Sequence, residues 1–522
     1  MRASPDSRAA LSFNKEAILM EIQTSLHLLE GMQYELAHDD MRQPYIRLTY
    51  NGKKILLKVR GEEFKSFFKY QYNEANSNFP DAKLLKNTIA YLEGKAIYEG
   101  SMIKPDVRLT GSTSLLEIDL CDDSYLAVKI SAEGFEVREP EGYLLRRHGQ
   151  LPLPLPELMT PEEVLAAMQE FKAILNVSEE QFVLVMGVLL MGFHPAGPYP
   201  VLFVQGEYGS AKGSLCEAIK SVVDPNMTPH TALPANVADF LIQAMSNRVL
   251  SFDNLSDYTF NKKHSDLFAQ MATGVGLRRR QLYTDDGECV FNVSRMILMN
   301  GIDDVVTQSD LGSRTIGLSL HRVDSANRIS MEEFRRRLGR IRPRMFSAIV
   351  NILVQVLRNY HSTEIQSDAR MFDMIQWVTA GENAMGWEPG TFQRAYELNQ
   401  LEVMEAGLGS DPLAVAIIRF MEGKPCWNGS ISRLLACLNA GTDRGSRSGA
   451  HWPRSAISLG RNLNRIETNL RALGIAVTRE GRSASERTIT IVNHNLSQPE
   501  IAENCISKVP DKGLLVSGSE AA

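Results

Sequence analysis

Residues 200–222, PVLFVQGEYGSAKGSLCEAIKSV, constrain the fold more than any other segment. An apolar, β-branched run enters a glycine-rich turn. Leu215, Ala218, Ile219 and Val222 then recur at helical spacing. Strand, loop and helix in that order are the context a P-loop needs. Glycines let backbone N–H groups curl around a β-phosphate, and the helix points its positive end at it. The candidate nucleotide-binding residues are therefore Gly206, Glu207, Tyr208, Gly209, Ser210, Ala211, Lys212, Gly213 and Ser214, with Lys212 reaching the β- and γ-oxygens. Against GxxxxGK[ST], Gly206 and Lys212 fit, and Ala211 replaces the second glycine, a small change. Gly213 stands where the Mg2+-binding hydroxyl belongs, and Ser214 comes one place late. The alternative is a glycine-containing βα turn that binds nothing.

Polar-ended apolar strands follow. Arg248-Val-Leu-Ser-Phe-Asp253-Asn254 lies about forty residues after the loop. In P-loop ATPases such a strand lies beside the first, and its acid holds Mg2+. Asp253 and Ser214 are thus the candidate metal ligands. Asn254 can orient a water but cannot accept a proton as a carboxylate does. Ser294-Arg-Met-Ile-Leu-Met-Asn300 ends in an amide that can polarise the attacking water or contact a γ-phosphate. In Leu311-Gly-Ser-Arg314-Thr-Ile, the arginine can act in trans on a neighbour's γ-phosphate, or pair locally with Asp310. Lys212, Asp253, Asn254, Asn300 and Arg314 form the candidate catalytic set. Between these strands, Arg278, Arg279 and Arg280 precede Asp285-Asp286. That run fits a solvated hairpin, or a pore lining that touches a nucleic-acid backbone.

In order, GEYGSAKGSL, VLSFDNLS, RRQLYTDD, ILMNGIDD and DLGSRTIGLSL resemble the motifs of a group of bacterial and phage ATP-binding proteins. These are related to the helicase part of primase–helicases, in the AAA+/superfamily-three sphere. The resemblance covers roughly residues 140–490 and is strongest over 200–320. It implies ATP and Mg2+ as cofactors, a ring that is often a hexamer, nucleotide at subunit interfaces, and translocation on DNA in phage or mobile-element replication. Position by position, Lys212 matches the phosphate lysine, Asp253 the Mg2+-binding acid, Asn300 the sensor and Arg314 the finger. The departure is Lys212-Gly213-Ser214, where the group shows Lys followed by Ser or Thr. It affects metal coordination more than phosphate binding.

The C-terminal unit reads as a turn and helix from Trp427, then a second helix. There Leu459, Leu463, Ile466, Leu470 and Leu473 fall at spacings of three and four. Two strand-like runs flank Gly481. Helices followed by a two-stranded ribbon make a winged helix, and resemble the winged-helix tails of the same helicase group. The formal net charge of −6 hides a basic patch here. Residues 428–495 carry ten Arg and no Lys against one Asp and three Glu, which is +6, so the remainder sums to −12. Arg461, Arg465, Arg471, Arg479, Arg482 and Arg487 are the candidate DNA contacts through phosphates. A subunit-packing domain with solvated arginines is the alternative.

Toward the N-terminus, Asn51-Gly52 between two β-type runs predicts a hairpin, and Ala82–Tyr98 a helix. Glu117 and Asp119 alternate on one strand. A metal-holding pair is one reading, and a surface-exposed strand face the better one. The scattered cysteines show no ligand spacing, which argues against a disulfide framework or zinc site. No signal segment is evident, and Phe182–Phe193 is too short to span a bilayer, so a cytoplasmic location without membrane contact is expected.

The expected fold is α/β. A P-loop AAA+-like ATPase core (166–345) follows an N-terminal α+β domain (1–150) and a proline-rich linker (151–165). A helical extension (346–410), a winged helix (411–495) and a flexible tail (496–522) complete it. The expected function is an ATP-dependent DNA helicase or translocase on single-stranded or forked DNA, self-associated as a hexameric ring, with a primase, replication or defence partner. The alternative is a nucleotide-binding, DNA-associated assembly switch with weak turnover or none.

Overall fold

A computed structural model describes residues 29, 32–256, 259–274, 277–280, 288–291, 293–302, 305–306, 308–409, 411–442, 452–479 and 488–496. The chain divides into two units. One comprises Met1–Leu255, Gln270–Ile302 and Leu318–Ala395, the other Ser256–Ala269, Asp303–Gly317 and Tyr396–Ala522.

In the first unit, β1 (Tyr34–His38), β2 (Pro44–Tyr50), β3 (Lys53–Lys58) and β4 (Ser101–Met102) form a sheet ordered β3-β2-β1-β4. Asn51 and Gly52 both take positive φ, 51° and 74°, which turns β2 into β3 with Tyr50 opposite Lys53. Helices α1 (Glu62–Asn76) and α2 (Ala82–Tyr98) follow the hairpin. Ile46, Leu48, Phe64, Ile89 and Leu92 make one core with them. The Asp81 carboxylate caps α2 by accepting the Leu84 N–H at 2.6 Å.

Four more strands form an antiparallel meander: β5 (Leu109–Ser112), β6 (Leu115–Asp119), β7 (Ala127–Ser131) and β8 (Gly134–Arg138). Glu117 and Asp119 on β6 are 4% and 5% exposed, so the expected solvent-facing strand is corrected. The chain after β8 covers that face. Glu117 accepts the N–H groups of Glu141 and Gly142 at 3.1 and 2.6 Å. Asp119 takes the Arg146 guanidinium at 3.0 and 2.7 Å, and the Cys121 N–H at 2.8 Å. Local donors occupy both carboxylates, so they do not form a metal pair.

Helices α3 (Pro161–Lys172) and α4 (Glu179–Gly192) each begin in a capping box, Thr160 with Glu163 and Ser178 with Gln181. α4 holds the long apolar run and is buried from Leu184 to Gly192. Then come β9 (Val201–Gly206), α5 (Lys212–Val223), α6 (Val237–Ser246), β10 (Val249–Leu255), α7 (Lys262–Thr273), β11 (Leu277–Arg280), β12 (Glu288–Phe291), β13 (Met296–Gly301), the short α8 (Ser309–Gly312) and β14 (Thr315–Leu320). The central sheet is ordered β10-β13-β9-β14, with β10/β13 and β13/β9 parallel. Its strands read VLFV, VLSF and MILM because both faces of a parallel sheet are covered. Of β14, only Leu318–Leu320 belongs to this unit; residues 262–269 of α7 and the whole of α8 belong to the other.

One carboxylate knots these parts together. Asp224, at the C-terminal cap of α5, is fully buried and accepts the N–H groups of Arg248 and Val249 at 2.8 and 3.1 Å. It also pairs with Arg108 Nε at 3.2 Å. The Arg108 side chain is fully buried too, and makes three further hydrogen bonds, to the carbonyls of Asp119, Leu151 and Pro225. The meander, the end of α5 and the start of β10 therefore share one ion pair. Helices α9 (Met331–Asn359) and α10 (Phe372–Thr379) follow, and α11 (Thr391–Gly409) crosses the division between units.

The second unit contains α12 (Pro412–Met421), β15 (Cys426–Ser430), α13 (Ile431–Gly441), α14 (Ala456–Ala472), β16 (Ile475–Arg479) and β17 (Thr488–Asn493). Leu459, Leu463, Ile466 and Leu470 of α14 enter one core with Leu434, Leu438, Ile489 and Ile491, as their spacing predicts. The ribbon has a third strand, in the order β15-β17-β16. Trp427, read as part of a turn, lies in β15 and pairs with Ile491. Cys121, Cys216 and Cys437 are free thiols. Cys426 is disulfide-bonded, although its spacing pointed to no cross-link. Among the described residues, no helix is long and apolar enough to cross a membrane.

Candidate functional site

β9 delivers the chain to the loop at Gly206, whose φ is 153°. A Cβ there would collide with the Leu320 carbonyl of β14, so only glycine fits. Gly209 has φ 79°, and a Cβ on it would strike the Arg328 guanidinium. Ala211 also lies in the left-handed region, at φ 63° and ψ 27°. This backbone normally favours glycine, so replacing the motif's second glycine by alanine is a larger change than the sequence implies.

Five of the loop's carbonyls, those of Gly206, Glu207, Gly209, Ser210 and Ala211, are occupied. Lys212 Nζ donates to Gly206 O at 2.6 Å and to Glu207 O at 2.9 Å. Ser210 Oγ donates to Glu207 O at 2.8 Å. Gly209 O accepts from Val323 N, Ser210 O from Asn176 Nδ2, and Ala211 O from Leu215 N. The N–H groups of Gly209, Ala211, Lys212, Gly213 and Ser214 meet no acceptor among the described residues, and α5 has no side-chain cap. The loop therefore offers unpaired donors at a helix N-terminus, which is the arrangement that holds an anion. Burial pushes the Lys212 ammonium below its usual pKa, and Asp253 pulls it back up.

Asp253 and Asn254 end β10, and Asn300 comes near the end of β13. With Lys212 they gather outside the carboxyl ends of adjacent parallel strands, where open α/β sheets bind ligands. Asn300 is 1% exposed and accepts the Asn254 N–H at 3.3 Å. Asn254 is exposed at φ 56°, and its Nδ2 donates to Asp253 Oδ2 at 3.3 Å. Beyond its own helix, and among the described residues, a Cβ built on Gly213 meets only Asp253 Oδ1 within 4 Å, at 3.9 Å. Ser214 Oγ contacts Met331 Sδ at 3.6 Å. Beneath the site, burial holds the Cys216 thiol up at about 12, beside the Asn300 amide. Free N–H groups, an ammonium and one carboxylate fit a polyphosphate with a divalent cation. Asp253 would hold the cation from the protein side, with no hydroxyl at 213 to assist it.

Three neighbours of the site escaped sequence reading. Arg328 reaches Gly209 from a segment with no motif of its own. Asn176 bridges Ser210 O and His321 O at 3.0 and 2.7 Å, bracing the loop. His230 sits beside the Gly213 backbone with its Nδ1 2.8 Å from Ser251 Oγ, and burial holds its pKa low. None stands at a recognisable spacing from the loop. For Arg328, the only signal is its place a few residues beyond β14.

Arg314 belongs to the second unit. It is 5% exposed, and its Nη1 pairs with Asp310 Oδ1 at 2.6 Å, the local partner that the sequence offers. Arg278, Arg279 and Arg280 lie on β11, which pairs antiparallel with β12; their side chains lie outside the described residues. Arg461, Arg471 and Arg479 are exposed. Glu467 pairs with Arg471 at 3.0 Å and with Arg479 at 2.7 Å, which spends part of the basic patch locally. The side chain of Arg465 and all of Arg482 and Arg487 lie outside the described residues.

Comparison with known proteins adds the biological setting. No curated protein matches the chain. Among solved structures, two apo forms of the NrS-1 C-terminal region are each 10% identical, with TM-scores of 0.35 and 0.38. They cover 88% and 91% of this chain, and 97% and 99% of their own. A JCV helicase structure is 12% identical over 45% of this chain and 64% of that one, with a TM-score of 0.24. Residues 169–400 match the family described as the actinomycete integrative conjugative element replication protein. Residues 413–502 match the C-terminal domain described for the same kind of protein. These adjoining matches take in more than half of the sequence, and the chain is thus a replication protein of mobile conjugative elements.

Proposed function

We propose that this replication protein is an ATP-driven DNA helicase or translocase with a P-loop AAA+-like core and a winged-helix tail. The observation that carries this reading is the loop of unpaired N–H groups at the start of α5, with Lys212 and Asp253 beside it. Lys212 would neutralise the β- and γ-phosphates, and Asp253 would hold Mg2+. Asn254 and Asn300 would orient the attacking water. When bound, Mg2+ supplies charge neutralisation at the transferred phosphoryl group. Arg314 would complete the site of a neighbouring subunit in a ring, a hexamer in the resembling group. Arg461, Arg471 and Arg479 would contact DNA phosphates, joined by Arg465, Arg482, Arg487 and the β11 arginines. A cytoplasmic location and a primase or other replication partner accompany this reading. In the test, wild-type protein releases phosphate in a DNA-dependent manner and unwinds a forked duplex, and Lys212→Ala does neither. Wild-type protein lacking both activities would refute it.

A second reading has its own observation. Gly213 carries no hydroxyl, and Asn254 stands where a catalytic acid often follows. On that reading ATP drives assembly with negligible turnover. Light scattering would show nucleotide-dependent oligomers without phosphate release, and robust release would sink the idea.

A further inference from the structure

A second cationic site lies on α5, independent of the glycine loop. Glu217, Lys220 and Ser221 fall on one face of the helix and line a cavity of about 330 Å3. Arg335, Leu338 and Arg342 of α9 line it from the other side. Lys220 is 3% exposed, and its ammonium makes no hydrogen bond with any described residue, although the Asp224 carboxylate at the end of the helix favours its charged form. A buried ammonium without a hydrogen-bonded partner is costly, and proteins rarely keep one unless something else satisfies it. Arg342 is half-buried, with one long hydrogen bond to Pro152 O at 3.4 Å. Glu217 is bonded to Arg335 at 2.7 and 3.2 Å. Lys220 and Arg342 therefore both line the cavity, and neither has a carboxylate within hydrogen-bond distance among the described residues. Burial lowers the pKa of both Lys220 and Arg342, as expected for cations held apart from water.

The remaining wall is mostly apolar, with Leu151, Pro225, Met227 and Pro229 beside the polar Asn226. A cavity of this size admits one small molecule and excludes a duplex. We infer that it binds a phosphate monoester of mononucleotide size, with the phosphate on Lys220 and Arg342 and its flat or apolar group against the Met227–Pro229 wall. Lys220 lies eight residues after Lys212, about 12 Å along the helix, so this ligand is distinct from any held by the loop. The inference does not rest on the function proposed above.

Calorimetry on the full chain tests it, with Lys212→Ala as the parent protein and AMP and inorganic phosphate as probes in metal-free buffer. AMP binds this parent more tightly than inorganic phosphate does. Lys220→Met and Arg342→Gln each weaken it about tenfold or more, as expected for loss of a charge-assisted hydrogen bond. Arg342 is less buried than Lys220, so its variant keeps the test decisive if Lys220→Met impairs folding. Binding that both variants leave unchanged, or that Lys212→Ala alone abolishes, overturns the site. Phosphate binding as tightly as AMP overturns the ester assignment. A single-stranded oligonucleotide that displaces AMP more strongly than AMP itself binds overturns it in favour of nucleic acid.

Discussion

Gly213→Ser tests both the geometry of the site and its chemistry. Gly213 lies in the first turn of α5, with no positive φ to strain a side chain. Among the described residues beyond its own helix, the new Cβ meets only Asp253 Oδ1, at 3.9 Å, so the substitution fits without displacement. Serine in place of glycine in a helix gains about 0.5 kcal/mol. For a chain of this size that is a melting-temperature rise of only about 0.5 °C. The larger effect concerns the cation. Adjacent oxygens on an octahedral Mg2+ at about 2.05 Å stand about 2.9 Å apart. An Oγ one bond beyond the Cβ comes within that distance of Asp253. A gained metal contact of this kind changes affinity by about tenfold or more. The assay is a Mg2+ titration of nucleotide binding, read with a fluorescent ATP analogue, with phosphate release measured alongside. Gly213→Ala is the control, since it adds a side chain without a ligand. Gly213→Ser should lower the Mg2+ half-saturation about tenfold against Gly213→Ala. If the two variants share one half-saturation point, the assignment of Asp253 and position 213 to the cation is wrong.

Other predictions concern stability and titration. Ala211→Gly removes left-handed strain at φ 63°, and should raise the unfolding free energy by about 0.5–1 kcal/mol in a urea titration. Asp224→Ala leaves Arg108 buried without its partner, and should cost about 3–5 kcal/mol by the same measurement. The Glu333 carboxyl is held down to about 2, first by its hydrogen bond with Arg336 and then by Arg337. Because the folded value is depressed, its contribution is complete above the ordinary carboxylate range and fades as pH falls through about 2. Carbonyl NMR should find that midpoint, and an ordinary one would refute the pairing.

The helix at Ala82–Tyr98 and the hairpin at Asn51-Gly52 were legible because periodicity and turn chemistry act locally. The buried stripe of α14 was legible for the same reason. At the candidate site, the residues ending β9, β10 and β13 were legible from where apolar runs stop. Arg328, Asn176 and His230 were not, because only tertiary folding brings them to the loop. Glu117 and Asp119 show the converse failure. Alternation placed them on one face, but could not reveal that residues 141–146 cover it. β15 escaped because its partner β17 lies some sixty residues away, and its own sequence, CWNGS, has little strand character.

The ion pair between Arg108 and Asp224 bears on how such genes can be reshuffled. Mobile elements exchange segments by recombination, and the proline-rich stretch after residue 150 looks like a natural seam. A crossover there would join a foreign front half to a back half that carries Asp224. The aspartate would then face whatever residue the new partner places opposite it. Only front halves with an arginine at that point would leave the start of β10, and hence Asp253, in register. Inheritance across the seam is thus restricted by a single buried ion pair.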